Sequence, residues 1–479
     1  MKRYLLLLSL AFAGLSAQGQ VMFQERAHRL DSKYKFMCTS DTDRQGNVVL
    51  SGLIRLGSAD LHNSMILLLK PNTDTLWTRR GPDVPDYATY AGVKFTADGS
   101  YALASSTRKS TSFPPLPDDY DGVLQKYSGS GRQLFNRVIN PQNQNNGIHS
   151  FLTLPDKGYL LNSFEGFSAT GSNLVLTRTD SVGTVLWQRN HPNFAPYGLI
   201  YTEHAGNGGA IMAGLAYTGA AGSSPYKIKL LLTDANGNAQ LGNTLNLTDP
   251  SRSEGMSVPA TRQCIVRLSD GGYLITGSVD TTDAQTGNYS KLGFVAKVNA
   301  NLQLVWKYIH RQPPVLANSA YFTKAKELKD GSIMVLGQNE IVRTSAPVNS
   351  FQLYRFSSSG QLMAAYPFTS QYSSLFLNTL EALPDGSFVI GGPVPYSRLP
   401  VRLLRCQSKD PELTGRAAFG YYGCRAGKGY CCSKYRSRLP EPGTRAGLFP
   451  VHAAKELPQS PYYHPRNCHR PGSKQLCDK

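Results

Sequence analysis

Several things are scarce in this chain of 479 residues, and each scarcity excludes something. Charged residues make up only 17% of it, and with 10% aromatics that argues against wholesale disorder. Methionine is rare, at 8 residues, against 45 glycines and 26 tyrosines, a balance that favours β structure over helical bundles. After residue 17 no apolar run approaches the roughly 20 residues that a membrane-spanning helix needs. Only Cys38, Cys264 and Cys406 precede residue 421, each alone in an apolar, strand-like run. A cysteine so placed behaves as a small buried hydrophobe, so the body is not a disulfide framework. The sequence also lacks a G-x-S-x-G elbow, an H-E-x-x-H helix, a phosphate-binding loop and a dinucleotide fingerprint. The net charge is +18, but the basic residues are scattered, without the clustering and interleaved aromatics of a nucleic-acid surface.

The N-terminus reads as an export signal. Lys2 and Arg3 precede an apolar stretch from Leu5 to Leu15, and Leu15-Ser16-Ala17 supplies a small-residue cleavage site. Residues 1–17 are therefore expected to be a signal peptide, and the protein to be secreted or held at the cell surface.

Self-similarity organises residues 38–420. Gln45-Gly46-Asn47-Val48-Val49-Leu50-Ser51-Gly52 returns as Asp98-Gly99-Ser100-Tyr101-Ala102-Leu103-Ala104-Ser105 and, more loosely, as Asp156-Lys157-Gly158-Tyr159-Leu160-Leu161. It recurs from Asn207, Asp270, Asp330 and Asp385, with a mean spacing of about 57 residues, which is the signature of a propeller, solenoid or array. Each unit carries a second tight turn, such as Asp180-Ser181-Val182-Gly183, with echoes at Ser128/Gly131, Asp234/Gly237 and Ser357/Gly360. Asp or Ser opens such a turn by bonding the backbone ahead, and Gly three positions on accepts a positive φ. Trp77, Trp187 and Trp306, all the tryptophans of the chain, stand on the strand just after this turn. Every unit thus reads as four short strands. A lone four-stranded sheet leaves both faces wet, and seven arranged radially cover one another. The expectation is an all-β, seven-bladed β-propeller of four-stranded blades over residues 18–420, followed by an irregular tail. Val21-Met22-Phe23-Gln24-Glu25-Arg26 resembles the fourth-strand pieces and is placed to join the last blade and close the ring.

The run Asp270-Gly271-Gly272-Tyr273-Leu274-Ile275-Thr276-Gly277, followed by a strand ending in Lys or Arg, a turn and Trp, resembles secreted propeller-repeat proteins of Bacteroidetes. The resemblance implies a cargo of the type IX secretion system. A second one, to quinoprotein-type propellers, rests on Asp180, Gly183 and Trp187, with one residue fewer between Asp and Gly than that motif has and no quinone-binding cluster. Type IX cargo usually ends in a sorting domain opening on Tyr/Phe-Pro-Asn-Pro, which this frame lacks. Residues 421–479 instead hold 11 Lys/Arg, 3 Asp/Glu and five of the eight cysteines, with no strand alternation. Shifting the frame by one nucleotide around Leu439-Pro440-Glu441-Pro442-Gly443 permits Phe/Tyr-Pro-Asn-Pro, so the tail reads as a disordered, frameshifted sorting domain. An intact frame at the locus, with no Pro-Asn-Pro in the shifted one, would end that idea. The alternative is a zinc module, but Cys424 to Cys431 and the adjacent Cys431-Cys432 do not fit paired ligand spacing.

Few residues suggest chemistry. Asp41, Asp43 and Gly46 imitate a calcium loop whose remaining oxygen ligands are missing. Asp118-Asp119-Tyr120-Asp121 is the densest acidic cluster and reads as a solvated loop, while His149, His204 and His310 lie far apart. The functional expectation falls on the connections between second and third strands, which gather at one end of a propeller. Tyr120, Phe164, Phe167, Tyr217 and Tyr289 are the candidates there for stacking on a sugar or peptide. The chain is read as an exported, non-enzymatic binding module for glycan or protein, with no cofactor and no catalytic or metal-ligating residue. The alternatives are a glycan-cleaving or quinone-dependent propeller enzyme and a structural cell-envelope component.

Overall fold

The computed structural model describes residues 21–28, 34–56, 61–84, 90–108, 120–139, 147–168, 171–194, 200–217, 226–248, 254–257, 264–282, 289–311, 318–341, 348–369, 377, 379–392 and 401–408. The chain divides into Met1–Ala418 and Phe419–Lys479, and every described residue lies in the first. The expected signal peptide and the tail from residue 421 lie outside the described residues.

The described strands form seven antiparallel sheets. Six blades, rather than seven, are each built from one continuous stretch of chain whose strands lie in sequence order. Blade 3 is typical, with Ile148–Thr153 innermost, then Tyr159–Ser168, Gly171–Thr179 and Val185–His191 outermost. The innermost strands of blades 1, 2, 4 and 6 are Tyr34–Thr42, Tyr90–Phe95, Ile200–His204 and Asn318–Glu327. Blade 5 departs from the expected four strands, because its innermost strand is split into Glu254–Ser257 and Ile265–Arg267, both paired to Tyr273–Thr282. The remaining sheet is composite. Thr379–Ala382, Phe388–Gly392 and Val401–Ser408 supply three strands, and Val21–His28 from the other end of the chain supplies the outermost one. Eight register pairs, from Val21↔Ser408 to His28↔Val401, fasten the two ends together. Each innermost strand packs on that of the next blade, and Thr379–Ala382 packs on Tyr34–Thr42, so the circuit closes as a β-propeller.

Strand alternation explains why the repeats must stack. In blade 1, Val48 and Leu50 enter a core shared with Leu383 and Val389 of the composite sheet. Val49, between them, enters a different core with Val93, Leu103 and Tyr127 of blade 2. Successive side chains point to opposite faces, so each blade feeds two cores and neither face tolerates water. The outermost strands behave differently. All ten exposed large apolar side chains among the described residues lie on these strands of blades 1 to 6 or on the turn entering them, Val138 (62% exposed) and Leu186 (58%) foremost.

The tryptophans lock one blade to the next. Trp77 on the outermost strand of blade 1 donates its Nε1–H to Gly129 O of blade 2 at 2.9 Å, and Arg79 Nε donates to Gly131 O at 2.9 Å. Trp306 of blade 5 repeats this on Ser358 O of blade 6 at 3.0 Å, and Trp187 of blade 3 covers Gly237 of blade 4. Gly131 has φ +80°, and a Cβ there would sit 2.9 Å from the Trp77 ring. Gly131→Ala is therefore expected to destabilise the fold by about 2–3 kcal/mol through backbone strain and a displaced indole. A urea midpoint unchanged from that of the parent would contradict this.

Candidate functional site

The turn between first and second strands fixes which side chains cross the seams to neighbouring blades. The residue two positions before each turn leans toward the following blade, as Asp41 does in accepting Phe95 N–H at 2.9 Å. The residue one position before leans back, as Thr153 does in donating to Phe95 O at 3.2 Å and Glu327 in accepting from Ser269. Polar residues at these places, Asp41, Lys94, Glu203, His204, Arg267, Lys326 and Glu381, stand on the innermost strands of six sheets, and Lys326 lies in the fields of Glu381, Asp41 and Glu203.

The most buried part of this set joins blade 6, the composite sheet and blade 1. Glu381 is 1% exposed and ion-paired with Lys324, which is 2% exposed, and with Lys326 at 3.0 Å. Ser40 Oγ donates to Glu381 Oε1 at 2.6 Å, and Lys324 Nζ donates to Ser40 Oγ at 3.1 Å. Burial alone would raise the Glu381 pKa. The charges of Lys324 and Lys326, with the hydrogen bonds from Lys324 and Ser40, outweigh it and hold the carboxyl well below its usual range. Burial also draws Lys324 down to about 8, against the pull of Glu381. Two ammonium groups and a hydroxyl converge on Glu381, so the carboxyl is ionised. An ionised, fully engaged carboxylate accepts hydrogen bonds and is poorly suited to donate a proton. This cluster is built to hold sheets together.

A second set of ion pairs recurs within blades. The turn aspartates Asp98, Asp156, Asp270 and Asp330 pair with Lys126, Arg178, Lys297 and Arg355, each on the third strand of the same blade. This accounts for the basic residue that ends the third strand in the repeat.

Of the histidines, His149 and His204 lie on innermost strands, whereas His310 follows the outermost strand of blade 5. His310 sits between Tyr308 Oη, 3.2 Å from Nδ1, and Tyr354 Oη, 3.4 Å from Nε2, and burial lowers its pKa. The proton affinity of His204 is lowered by burial, then raised by Glu203 and lowered again by Lys94 and Arg267. The three do not converge. Among the described residues no group of three or more His, Cys, Asp or Glu is placed to hold a metal ion. Cys264 is buried and free, its thiol pushed up by burial. Cys38 and Cys406 have side chains outside the described residues. Asp41 serves the blade 1–2 seam, and Asp43 closes its own turn by accepting Gln45 and Asn47 N–H.

The five aromatic candidates are placed by their backbone, and their side chains lie outside the described residues. They were expected in connections but stand on strands. Tyr120 begins the third strand of blade 2 opposite Arg108, and Phe164 and Phe167 lie on the second strand of blade 3, Phe164 opposite Leu174. Tyr217 ends the second strand of blade 4 opposite Tyr226, and Tyr289 begins the third strand of blade 5 opposite Thr282. The hairpins run on past the apolar core as continuous backbone pairing. All five nevertheless fall at the same end of their blades, the end away from the Asp-Gly turns.

No family model matches the chain, and no curated protein matches it either. Solved structures do resemble it. Polysaccharide lyase Uly1 has a TM-score of 0.48 at 9% identity, covering 80% of this chain and 99% of that one. Virginiamycin B lyase from Staphylococcus aureus has 0.46 at 8%, covering 81% and 99%. An alpha-L-arabinanase from Penicillium chrysogenum has 0.40 at 12%, covering 67% and 92%. With TM-scores below 0.5 these likenesses carry no argument, and the β-propeller is read from the pairing and packing of the strands.

Proposed function

We propose that the chain is an exported, non-enzymatic propeller that binds glycan or protein outside the cell or at its surface, through the end of the ring opposite the Asp-Gly turns. In this reading residues 1–17 are a signal peptide, residues 18–420 the binding ring, and residues 421–479 a degenerate remnant of a type IX sorting domain. One observation carries the proposal: the register of four consecutive blades brings Tyr120, Phe164, Phe167, Tyr217 and Tyr289 to a common end. Several aromatic platforms at one end of a rigid scaffold suit a flat, hydroxyl-bearing or extended ligand. The engagement of the buried Glu381 carboxylate in holding sheets together supports binding over acid–base chemistry. The test is a glycan array probed with residues 18–420, alongside the Tyr120→Ala and Tyr217→Ala variants. Saturable binding weakened at least tenfold by these substitutions is expected. Binding indifferent to both, or turnover of any bound glycan, would overturn the reading.

A further inference from the structure

A cleft of about 400 Å³ opens at the other end of the ring, where the Asp-Gly turns of blades 5 and 6 meet. That volume lies in the range of small-molecule sites. Leu268 and Ile333 lie at its floor, 4% and 1% exposed, and its lining is otherwise polar, formed by Asp270, Lys297, Glu327 and the hydroxyls of Ser358 and Ser359.

The rim is held rigidly from three directions. Glu327 of blade 6 spans the seam and accepts from Ser269 N–H at 2.7 Å and Ser269 Oγ at 2.8 Å. Lys297 pairs with Asp270, whose other oxygen accepts Gly272 N–H at 2.9 Å. Trp306 pins Ser358 through its carbonyl, and Ser359 Oγ is hydrogen-bonded to Ser357 Oγ at 2.8 Å. Each carboxylate oxygen retains a lone pair, each serine hydroxyl can both donate and accept, and the ammonium of Lys297 has further protons to donate. These groups need no reorganisation to meet a ligand, which favours affinity.

We infer that this cleft is a second binding site, for a neutral polyhydroxylated ligand the size of one or two sugar units. A sugar presents a circle of hydroxyls that each donate and accept, and the cleft meets it with carboxylates, an ammonium and serine hydroxyls close together. Asp270 and Glu327 against Lys297 leave one uncompensated negative charge among the lining groups, so a sugar carboxylate is repelled where its neutral counterpart is accepted. The site stands apart from the aromatic end and does not rest on the function proposed above.

The probes are methyl β-glucoside, methyl β-galactoside and methyl α-mannoside, with glucuronate as the charged counterpart, each titrated into the full chain by saturation-transfer NMR. At least one neutral glycoside is expected to bind saturably, with glucuronate at least tenfold weaker. Ser359→Trp, which fills the cleft from an exposed turn, is expected to abolish the signal, and Glu327→Gln to weaken it at least fivefold, both with an unchanged melting curve. Tyr217→Ala should leave it intact, which separates this site from the other end of the ring. No saturable binding by any of the three glycosides, equal binding of glucuronate, or full binding by Ser359→Trp would overturn the assignment.

Discussion

Glu381→Ala is expected to cost the fold about 3–5 kcal/mol at pH 7, the range for removing one member of a buried ion pair. The substitution strands Lys324, 2% exposed, and leaves Lys326 and Ser40 without the acceptor on which they converge. Uncompensated charge in a low-dielectric seam is expensive, and this seam joins blade 6, the composite sheet and blade 1. Urea unfolding monitored by tyrosine and tryptophan fluorescence measures it. A loss below 1 kcal/mol would mean that water reaches the cluster. The pH dependence has a definite sign. The folded-state pKa of Glu381 is depressed below the ordinary 4.5, so its contribution is fully present above that value. Stability then falls as pH drops from about 4.5 toward 2, by at most about 1.4 kcal/mol per pH unit for one group. Glu381→Gln removes the titrating group, so its acid limb should be shallower by that slope.

Deleting Val21–His28 is expected to be comparably damaging. These residues contribute eight register pairs to Val401–Ser408 and are the outermost strand of the composite sheet. At about 0.5–1 kcal/mol net for each hydrogen bond lost, the deletion costs on the order of 4 kcal/mol. It also exposes an unpaired edge, which invites association between molecules. Limited proteolysis should then cut first within Thr379–Ser408, and a synthetic peptide of residues 21–28 added in trans should restore protection. Equal protease resistance with and without the strand would show that the three-stranded sheet suffices to close the circuit.

The repeat was legible because its punctuation is local. An Asp-Gly turn needs a side chain that bonds the backbone ahead and a residue tolerant of positive φ, and both show in the letters. Gly271 at φ +85° and Gly331 at +77° are where the repeat places them. The role of the tryptophans was half legible. Their shared place after the second turn marked them as structural, yet only the packing of blade on blade shows Trp77 and Trp306 hydrogen-bonded to the neighbouring turn. The split innermost strand of blade 5 was missed, because residues 254–257 are followed by an insertion that breaks the period. The five aromatic candidates were assigned to connections, since strand pairing in longer hairpins carries no separate signal in sequence.

The sequence by itself determined the turn chemistry and the need for stacking, because apolar residues on both faces of a strand demand two neighbours. Only the tertiary structure decided what lies across the seams and between the turns. Lys324 and Glu381 are separated by 57 positions, and Ser40 by 341 from Glu381. Glu327 meets Ser269 across 58. No local rule links residues so far apart. They meet because the ring closes on itself, and closure is a property of all the sheets together.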